Sequence, residues 1–263
     1  MAHFNIKFFS NSLNRPVPLE VIIPNDPRAD MKGNIPQVNK TEMKCIFLYH
    51  GYTGDGGNWI SEWELAKNNC AVVCPSCENS FYLDGISTAH KFQTFVGIEL
   101  VNFVRNTFGL ALTPDKTFTM GMSMGGFGAL HTALAYPETF GKCVCLSSAL
   151  IVHGIAHMKP GTDNGVANYE YYRECFGDLE TVEERDVNPE VLALKLKNEG
   201  KTLPKIYMTC GTEDFLLEPN RAMHKFLTEN SIDHTYIEDK GQHDMEFWQK
   251  CVPGSLEFLC KNL

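Results

Sequence analysis

Residues 117–130, Thr-Phe-Thr-Met-Gly-Met-Ser-Met-Gly-Gly-Phe-Gly-Ala-Leu, are the most informative stretch of the chain for its fold. The centre, Gly121-Met-Ser-Met-Gly125, is a Gly-x-Ser-x-Gly motif between an apolar strand and a run of small, helix-compatible residues. In that context the glycines permit a sharp turn that lifts a serine hydroxyl clear of a sheet. The motif predicts a nucleophilic Ser123; an ordinary glycine-rich turn with an inert serine is the alternative.

Apolar segments of strand length alternate with helical segments along most of the chain. The expected strands are 3–9, 17–23, 44–49, 71–74, 117–120, 142–146, 205–209 and 234–237. The expected helices are 89–108, 125–135, 218–229 and 245–261. In the first helix Ile98, Val101, Val104 and Phe108 recur at spacings of three and four, which indicates one buried stripe. The alternation predicts an α/β fold with a mostly parallel central sheet and helices on both faces.

Two segments fall outside this alternation. Residues 24–42 contain three prolines and a glycine, and we interpret them as a loop because the chain before them is too short to hold a core. Residues 149–203 are rich in polar and aromatic side chains. We interpret them as an insertion or small cap at the carboxyl edge of the sheet, where α/β folds place their sites. We expect one domain over residues 1–263.

A serine needs a base, and the base needs an acid. In folds with this motif both partners follow the serine, first the acid and then the histidine. Asp214 lies just past strand 205–209, and His243 lies just past strand 234–237. The order predicts a triad of Ser123, His243 and Asp214 at one edge of the sheet. Glu213 and Asp244 are alternative acids, and a solvated loop histidine is the alternative interpretation of His243.

The glycine-dense run 49–59, Tyr-His-Gly-Tyr-Thr-Gly-Asp-Gly-Gly-Asn-Trp, follows an apolar strand. Acyl transfer requires N–H groups that face the negative charge developing on the carbonyl oxygen. We expect the backbone amides of Tyr52 and Met124 to form this oxyanion hole. A flexible surface loop is the alternative; a phosphate-binding loop is disfavoured because the run lacks a Gly-Lys-Ser/Thr ending.

Several segments together carry a family resemblance: 50–59, 79–82, 121–130, 176–179, 210–216 and 241–243. Through them the chain resembles the putative-esterase (esterase D-like) branch of the α/β-hydrolases, in particular small bacterial tributyrin esterases. The resemblance implies an α/β-hydrolase fold, the Ser123–Asp214–His243 triad and Tyr52 as an oxyanion donor. S-formylglutathione hydrolases of this branch carry a Leu-Thr-Cys-like run where this chain has Tyr-Thr-Gly at 52–54, which disfavours that activity.

Composition narrows the choice of partner and compartment. The 263 residues include 23 Lys and Arg against 32 Asp and Glu, a net charge of −9. This balance, without a basic run, argues against nucleic acid and anionic membranes as partners. No segment is apolar over the length of a membrane span, and the N-terminus is too polar for a signal peptide. We therefore expect a cytoplasmic protein; a homo-oligomer is left open.

Two further motifs suggest other chemistry. Cys74-Pro-Ser-Cys77 has the spacing of a redox pair, but a polar loop follows it instead of a helix. We expect the ten cysteines to be free thiols. His153 and His157 are four residues apart, but the glutamate of His-Glu-x-x-His and a third ligand are missing. We interpret them as loop histidines and expect neither a metal nor an organic cofactor.

The expected activity is hydrolysis of short-acyl esters of small molecules by a serine carboxylesterase, through an acyl-enzyme intermediate. Trp59 and Phe215 are candidate walls of a short acyl slot, with packing beneath the loops as the alternative. Tyr171, Tyr172 and Phe176 are equally compatible with a substrate pocket or with packing. The alternative activities are an S-formylglutathione hydrolase and a feruloyl- or acetylxylan-type carbohydrate esterase. A non-catalytic α/β-hydrolase-fold binding protein is the alternative from another class.

Overall fold

A single eight-stranded sheet forms the centre of the computed structural model, which describes residues 1–25 and 38–261. All eight predicted strands are present. They are β1 (Ala2–Ser10), β2 (Arg15–Ile23), β3 (Lys44–Tyr49), β4 (Cys70–Pro75), β5 (Thr117–Met122), β6 (Lys142–Leu146), β7 (Lys205–Gly211) and β8 (His234–Asp239). The order is β1-β2-β4-β3-β5-β6-β7-β8. Strands β3 to β8 run parallel to one another, and β2 pairs antiparallel with both of its neighbours, β1 and β4. The predicted α/β class is confirmed.

Helices cover both faces of this sheet. They are α1 (Glu62–Lys67), α2 (Phe92–Thr94), α3 (Leu100–Phe108), α4 (Met124–Ala135), α5 (Val152–Ile155), α6 (Tyr169–Phe176), α7 (Pro189–Asn198), α8 (Leu217–Glu229) and α9 (Met245–Cys260). Alternate side chains of β3 enter two cores. Cys45, Phe47 and Tyr49 pack with residues of α3, α4 and α8, whereas Ile46 and Leu48 pack with α9. Continuous apolar strands therefore bury both faces of the sheet.

The predicted helix 89–108 is wrong in its start and in part of its buried stripe. It begins at Phe92, and Ile98 is 47% exposed. Residues 95–99 form a π-helical turn between α2 and α3. Its i→i+5 hydrogen bonds place more residues in a turn than an α-helix has. The side chains in and after this turn therefore face other directions than the spacing of an α-helix predicts. Val101 and Val104 are buried as predicted, and Phe95 and Leu100 join them on the buried side.

Short elements occupy the two segments outside the alternation. Of the predicted loop 24–42, residues 26–37 lie outside the described residues, and Lys40–Glu42 form a short 3₁₀ helix. The 149–203 segment joins β6 to β7 and contains α5, α6 and α7. Its Phe176 ring packs 4.8 Å from Phe81 and 5.6 Å from Phe127 of α4. This contact holds the segment beside the helix that follows Ser123.

No helix among the described residues is both long enough and apolar enough to cross a membrane. The cytoplasmic location stays a prediction.

Candidate active site

Ser123 occupies a tight turn between β5 and α4. Its φ of 54° and ψ of −120° are strained for a residue with a side chain. Its N–H donates to the Leu146 carbonyl at 2.9 Å. A Cβ on Gly121 would lie 2.2 Å from the Gly125 carbonyl oxygen, and one on Gly125 would lie 2.3 Å from that of Tyr49. Only glycine fits these two positions, because neighbouring backbone lies directly against them. These close backbone contacts hold the turn in place.

His243 lies between Ser123 and Asp214. Its Nε2 is 3.0 Å from Ser123 Oγ, and its Nδ1 is 2.9 Å from Asp214 Oδ2. Asp214 follows β7 and His243 follows β8, so the parallel strands deliver all three side chains to one edge of the sheet. An ionised carboxylate only accepts hydrogen bonds, so Nδ1 carries the ring proton and Nε2 is free to accept the serine proton.

The Asp214 carboxylate is held ionised inside the protein. Its side chain is completely buried, whereas that of His243 is 16% exposed. Burial alone would raise the pKa of Asp214. Hydrogen bonds from the His243 ring and from the Leu216 N–H outweigh that cost and keep the pKa below its ordinary value. The site therefore holds a negative charge next to the imidazole.

The two alternative acids lie elsewhere. Asp244 caps α9 by accepting a hydrogen bond from the Phe247 N–H at 2.9 Å. Glu213 is exposed, and its N–H donates to the Gly241 carbonyl. Asp214 is the acid whose side-chain oxygens contact His243.

The proposed oxyanion donors border the same space as Ser123. A Cβ on Gly51 would lie 3.5 Å from Ser123 Cβ, so the loop after β3 runs directly beside the serine. Tyr52, from this loop, and Met124, the first residue of α4, both line the cavity that contains Ser123. The positive end of the α4 dipole adds to the attraction for an oxyanion at this point.

This cavity has a volume of about 570 Å³, and its lining is mostly apolar. Phe215 lines it; the residue is 73% exposed, and its ring lies 4.5 Å from that of His243. Tyr171 and Tyr172 also line the cavity, whereas Phe176 is buried in the core. Sequence reasoning missed further lining residues, namely Phe81, Ile151, Asn164, Val166 and Trp248.

The prediction for Trp59 is wrong. Trp59 is not among the residues that line the cavity, and it packs instead against the core on the α9 side of the sheet. Its carbonyl accepts a hydrogen bond from the Gln249 side chain of α9.

The cysteine and histidine motifs have other environments. Cys74 and Cys77 are both fully buried, and burial raises the pKa of each thiol. The exposed His153 side chain is hydrogen-bonded to Glu183 and Glu190, and the exposed His157 side chain to Glu180. Within residues 1–25 and 38–261, no group of three or more His, Cys, Asp or Glu side chains could hold a metal ion.

A serine at a strand–turn–helix elbow, followed in the chain by an aspartate and a histidine at the same sheet edge, defines the α/β-hydrolase class. A family model for putative esterases matches residues 54–259, and the chain belongs to that family. It is 40% identical over 265 residues to an acetyl esterase from Caldicellulosiruptor saccharolyticus, with 99% of each chain covered. The protein is an ester hydrolase, and the esterase resemblance seen in the sequence is confirmed.

Two solved structures have the same fold. One is FphF, a fluorophosphonate-binding serine hydrolase from Staphylococcus aureus, with 23% identity and a TM-score of 0.83. The other is the S-formylglutathione hydrolase FrmB from Staphylococcus aureus, with 22% identity and a TM-score of 0.81. Each comparison covers 99% of both chains. At these identities the likeness is one of fold alone.

Proposed function

We propose that the protein is a serine carboxylesterase that hydrolyses short-acyl esters, acetyl to butyryl, through an acyl-enzyme on Ser123. The observation that carries the proposal is the position of His243, whose two ring nitrogens lie 3.0 Å from Ser123 Oγ and 2.9 Å from Asp214. A histidine held in this way accepts a proton from a serine and returns it to a leaving group.

In the acylation step, Ser123 Oγ attacks the ester carbonyl carbon while His243 Nε2 takes the hydroxyl proton. The carbonyl oxygen becomes an oxyanion, which the amides of Tyr52 and Met124 stabilise. When the oxyanion collapses, the bond to the alcohol oxygen breaks and His243 protonates that oxygen. The alcohol leaves, and the acyl group remains on Ser123.

Deacylation repeats the sequence with water. His243 takes one proton from the water as its oxygen attacks the acyl carbon, and the same two amides stabilise the second oxyanion. The bond to Ser123 Oγ then breaks, and His243 returns the proton to the serine. A carboxylic acid is released. Asp214 remains ionised throughout, orients the imidazole and stabilises its charged form.

Three observations support a short acyl group. The relative at 40% identity is an acetyl esterase. The cavity of about 570 Å³ lies in the range for small ligands. The helices of the 149–203 segment have 4, 8 and 10 residues, which is too short for the broad apolar face of a lipase lid. Phe215, at the rim beside His243, is the proposed substrate contact.

A turnover series tests this proposal. The substrates are p-nitrophenyl esters from acetate to octanoate, with methyl ferulate, an acetylated xyloside and S-formylglutathione run in parallel. We expect the highest kcat/KM between acetate and butyrate. Ser123→Ala should abolish the activity, the exposed Ser231→Ala should not, and a chelator should have no effect.

Each alternative has its own outcome in this series. A maximum at octanoate contradicts the short-acyl proposal, and a dominant rate on S-formylglutathione or methyl ferulate replaces it with that activity. If no ester is turned over and a fluorophosphonate does not label Ser123, the protein is a binding module.

A further inference from the structure

His50 is a buried histidine that the mechanism above does not use. It is 5% exposed, and both of its ring nitrogens have backbone partners. Nδ1 lies 2.9 Å from the Gly51 carbonyl oxygen, and Nε2 lies 3.0 Å from the Cys77 backbone nitrogen. A carbonyl only accepts a hydrogen bond and an N–H only donates one, so Nδ1 carries the proton and Nε2 does not. The two partners fix one neutral tautomer, and burial lowers the pKa of the ring.

The partner of Nδ1 belongs to the peptide that ends in the Tyr52 amide. The Gly51 carbonyl also accepts a hydrogen bond from the Gly54 N–H at 3.0 Å. The peptide is planar and trans, so its N–H points in the opposite direction from its carbonyl. Two donors that hold the Gly51 oxygen therefore also set the direction of the Tyr52 N–H.

The rest of His50 is fixed as well. Its own carbonyl accepts a hydrogen bond from the Tyr82 hydroxyl at 2.9 Å, and the Tyr82 ring stacks on Tyr49 at 4.3 Å. The backbone and the side chain of His50 are thus both held by buried partners. Because His50 is fixed, the Tyr52 N–H is fixed as well, and it does not need to reorganise when negative charge develops on the substrate.

We propose that His50, as its Nδ1–H tautomer, is a positioning residue that turns the Gly51–Tyr52 peptide so that the Tyr52 N–H faces the oxyanion. The inference rests on the proposed function, because it assumes an oxyanion beside Ser123. In this role His50 contributes to kcat and not to substrate binding. The alternative is that His50 only fastens the loop to residue 77.

Two substitutions separate the two ring contacts. In His50→Asn the amide nitrogen occupies the position of Nδ1, so the donor to Gly51 is kept and the acceptor for the Cys77 N–H is lost. In His50→Gln the side-chain oxygen reaches the position of Nε2, so the acceptor is kept and the donor is lost. His3→Asn and His3→Gln, on the exposed edge strand β1, are the matched controls.

The measurements are kcat and KM for p-nitrophenyl acetate and the inhibition constant of a trifluoromethyl ketone, which forms an oxyanion on the serine. We expect kcat to fall about 10- to 100-fold in His50→Gln with KM nearly unchanged, and the inhibition constant to rise by a similar factor. His50→Asn should stay within about five-fold of wild type in both, because it keeps the donor to Gly51. Equal losses in the two variants, or the larger loss in His50→Asn, would overturn the proposal.

A measurement on the wild-type protein decides the question even if a variant fails to fold. Long-range ¹H–¹⁵N NMR correlation of the histidine rings should find the proton of His50 on Nδ1, and the Tyr52 amide proton should move downfield when the trifluoromethyl ketone binds. A proton on Nε2, or an unshifted Tyr52 amide, contradicts the inference. Failure of the proposed function is distinguishable, because Ser123→Ala would then retain turnover whatever the His50 variants do.

Discussion

The two sides of the active-site cavity are built differently. The side formed by the strand ends carries Ser123, Asp214 and His243; there the Asp214 side chain is fully buried, and backbone contacts fix the turn at Ser123. The other side is the 149–203 segment, where Val166 is 65% exposed and the ion pairs of His153 lie at the surface. Exposed ion pairs contribute little to stability. The groups proposed to do the chemistry are thus fixed by buried and backbone contacts, whereas the lining residues Val166 and Phe215, which would contact the substrate, are exposed.

Removal of the nucleophile should have the largest effect and leave both sides of the cavity in place. We expect Ser123→Ala to lower kcat for p-nitrophenyl acetate by about 10⁴- to 10⁶-fold, because serine and base act as one unit. The melting temperature should stay close to that of wild type. A folded variant with near-wild-type turnover would rule out the serine as nucleophile.

The acid should rank next. Asp214→Asn should lower kcat by about 10³- to 10⁴-fold, since the neutral amide lets the His243 ring adopt the wrong tautomer. Asp244→Asn is the matched control: asparagine also caps helices well, so kcat should change little. Steady-state kinetics of both variants provide the check, and a larger loss in Asp244→Asn would reverse the assignment.

His131 links α4 to the 149–203 segment and should make stability depend on pH. It lies in α4, and its Nε2–H donates to the Asp186 carbonyl of the 149–203 segment at 2.8 Å. Burial lowers its pKa from 6.5 to about 4. Between pH 6.5 and about pH 4, His131 is protonated in the unfolded chain but neutral in the folded protein. The free energy of unfolding should therefore fall as pH falls through this range, by at most about 3 kcal/mol.

Gln at position 131 keeps an N–H near the place of Nε2 but does not titrate. We therefore expect His131→Gln to flatten the pH dependence of urea unfolding between pH 6.5 and 4. An unchanged dependence would show that other groups cause it.

Substitutions of the exposed cavity-lining residues should change substrate preference and leave the chemistry intact. Val166→Ala should raise the ratio of hexanoate to acetate turnover about three- to ten-fold, because it removes apolar volume from the cavity lining. Phe215→Ala should raise KM with kcat within about three-fold, as expected for loss of a substrate contact. An unchanged acyl profile together with a large fall in kcat would assign these side chains to the chemistry instead.

His153 should show the smallest effect, with the opposite dependence on pH from His131. Burial lowers its pKa, but hydrogen bonds with Glu183 and Glu190 outweigh that and raise it above its ordinary value. Its stabilisation is therefore complete below about pH 6.5 and is lost as pH rises through the folded pKa. His153→Gln should cost less than about 1 kcal/mol at pH 5.5 and almost nothing at pH 9. Thermal melts at both values check this, and a larger cost at pH 9 contradicts it.

The triad positions could be predicted from the sequence because each residue follows a strand, and the ends of parallel strands meet at one edge. Ser123 also has a local signature, since close backbone contacts demand the two glycines beside it. The sequence also favours Asp214 over Glu213 and Asp244, and in the structure it is the Asp214 carboxylate that lies 2.9 Å from His243 Nδ1.

Other features depend on contacts that the sequence does not display. Trp59 points to the α9 core because of packing against a helix that begins almost 190 residues later, at Met245. Ile98 is exposed in the π-helical turn at residues 95–99, a conformation that the three- and four-residue spacing of the apolar side chains does not indicate. Tyr171 and Tyr172 fit either lining or packing until α6 is placed beside the cavity.

Ser123 should carry the acyl group during turnover. Rapid acid quenching of the enzyme with p-nitrophenyl acetate, followed by peptide mass spectrometry, detects that intermediate. We predict a peptide acetylated at Ser123 that appears within one turnover, decays as the substrate is used up and is not formed by Ser123→Ala. Continued turnover with no acetylated Ser123, or with acetylation only at another residue, would show that Ser123 is not the nucleophile.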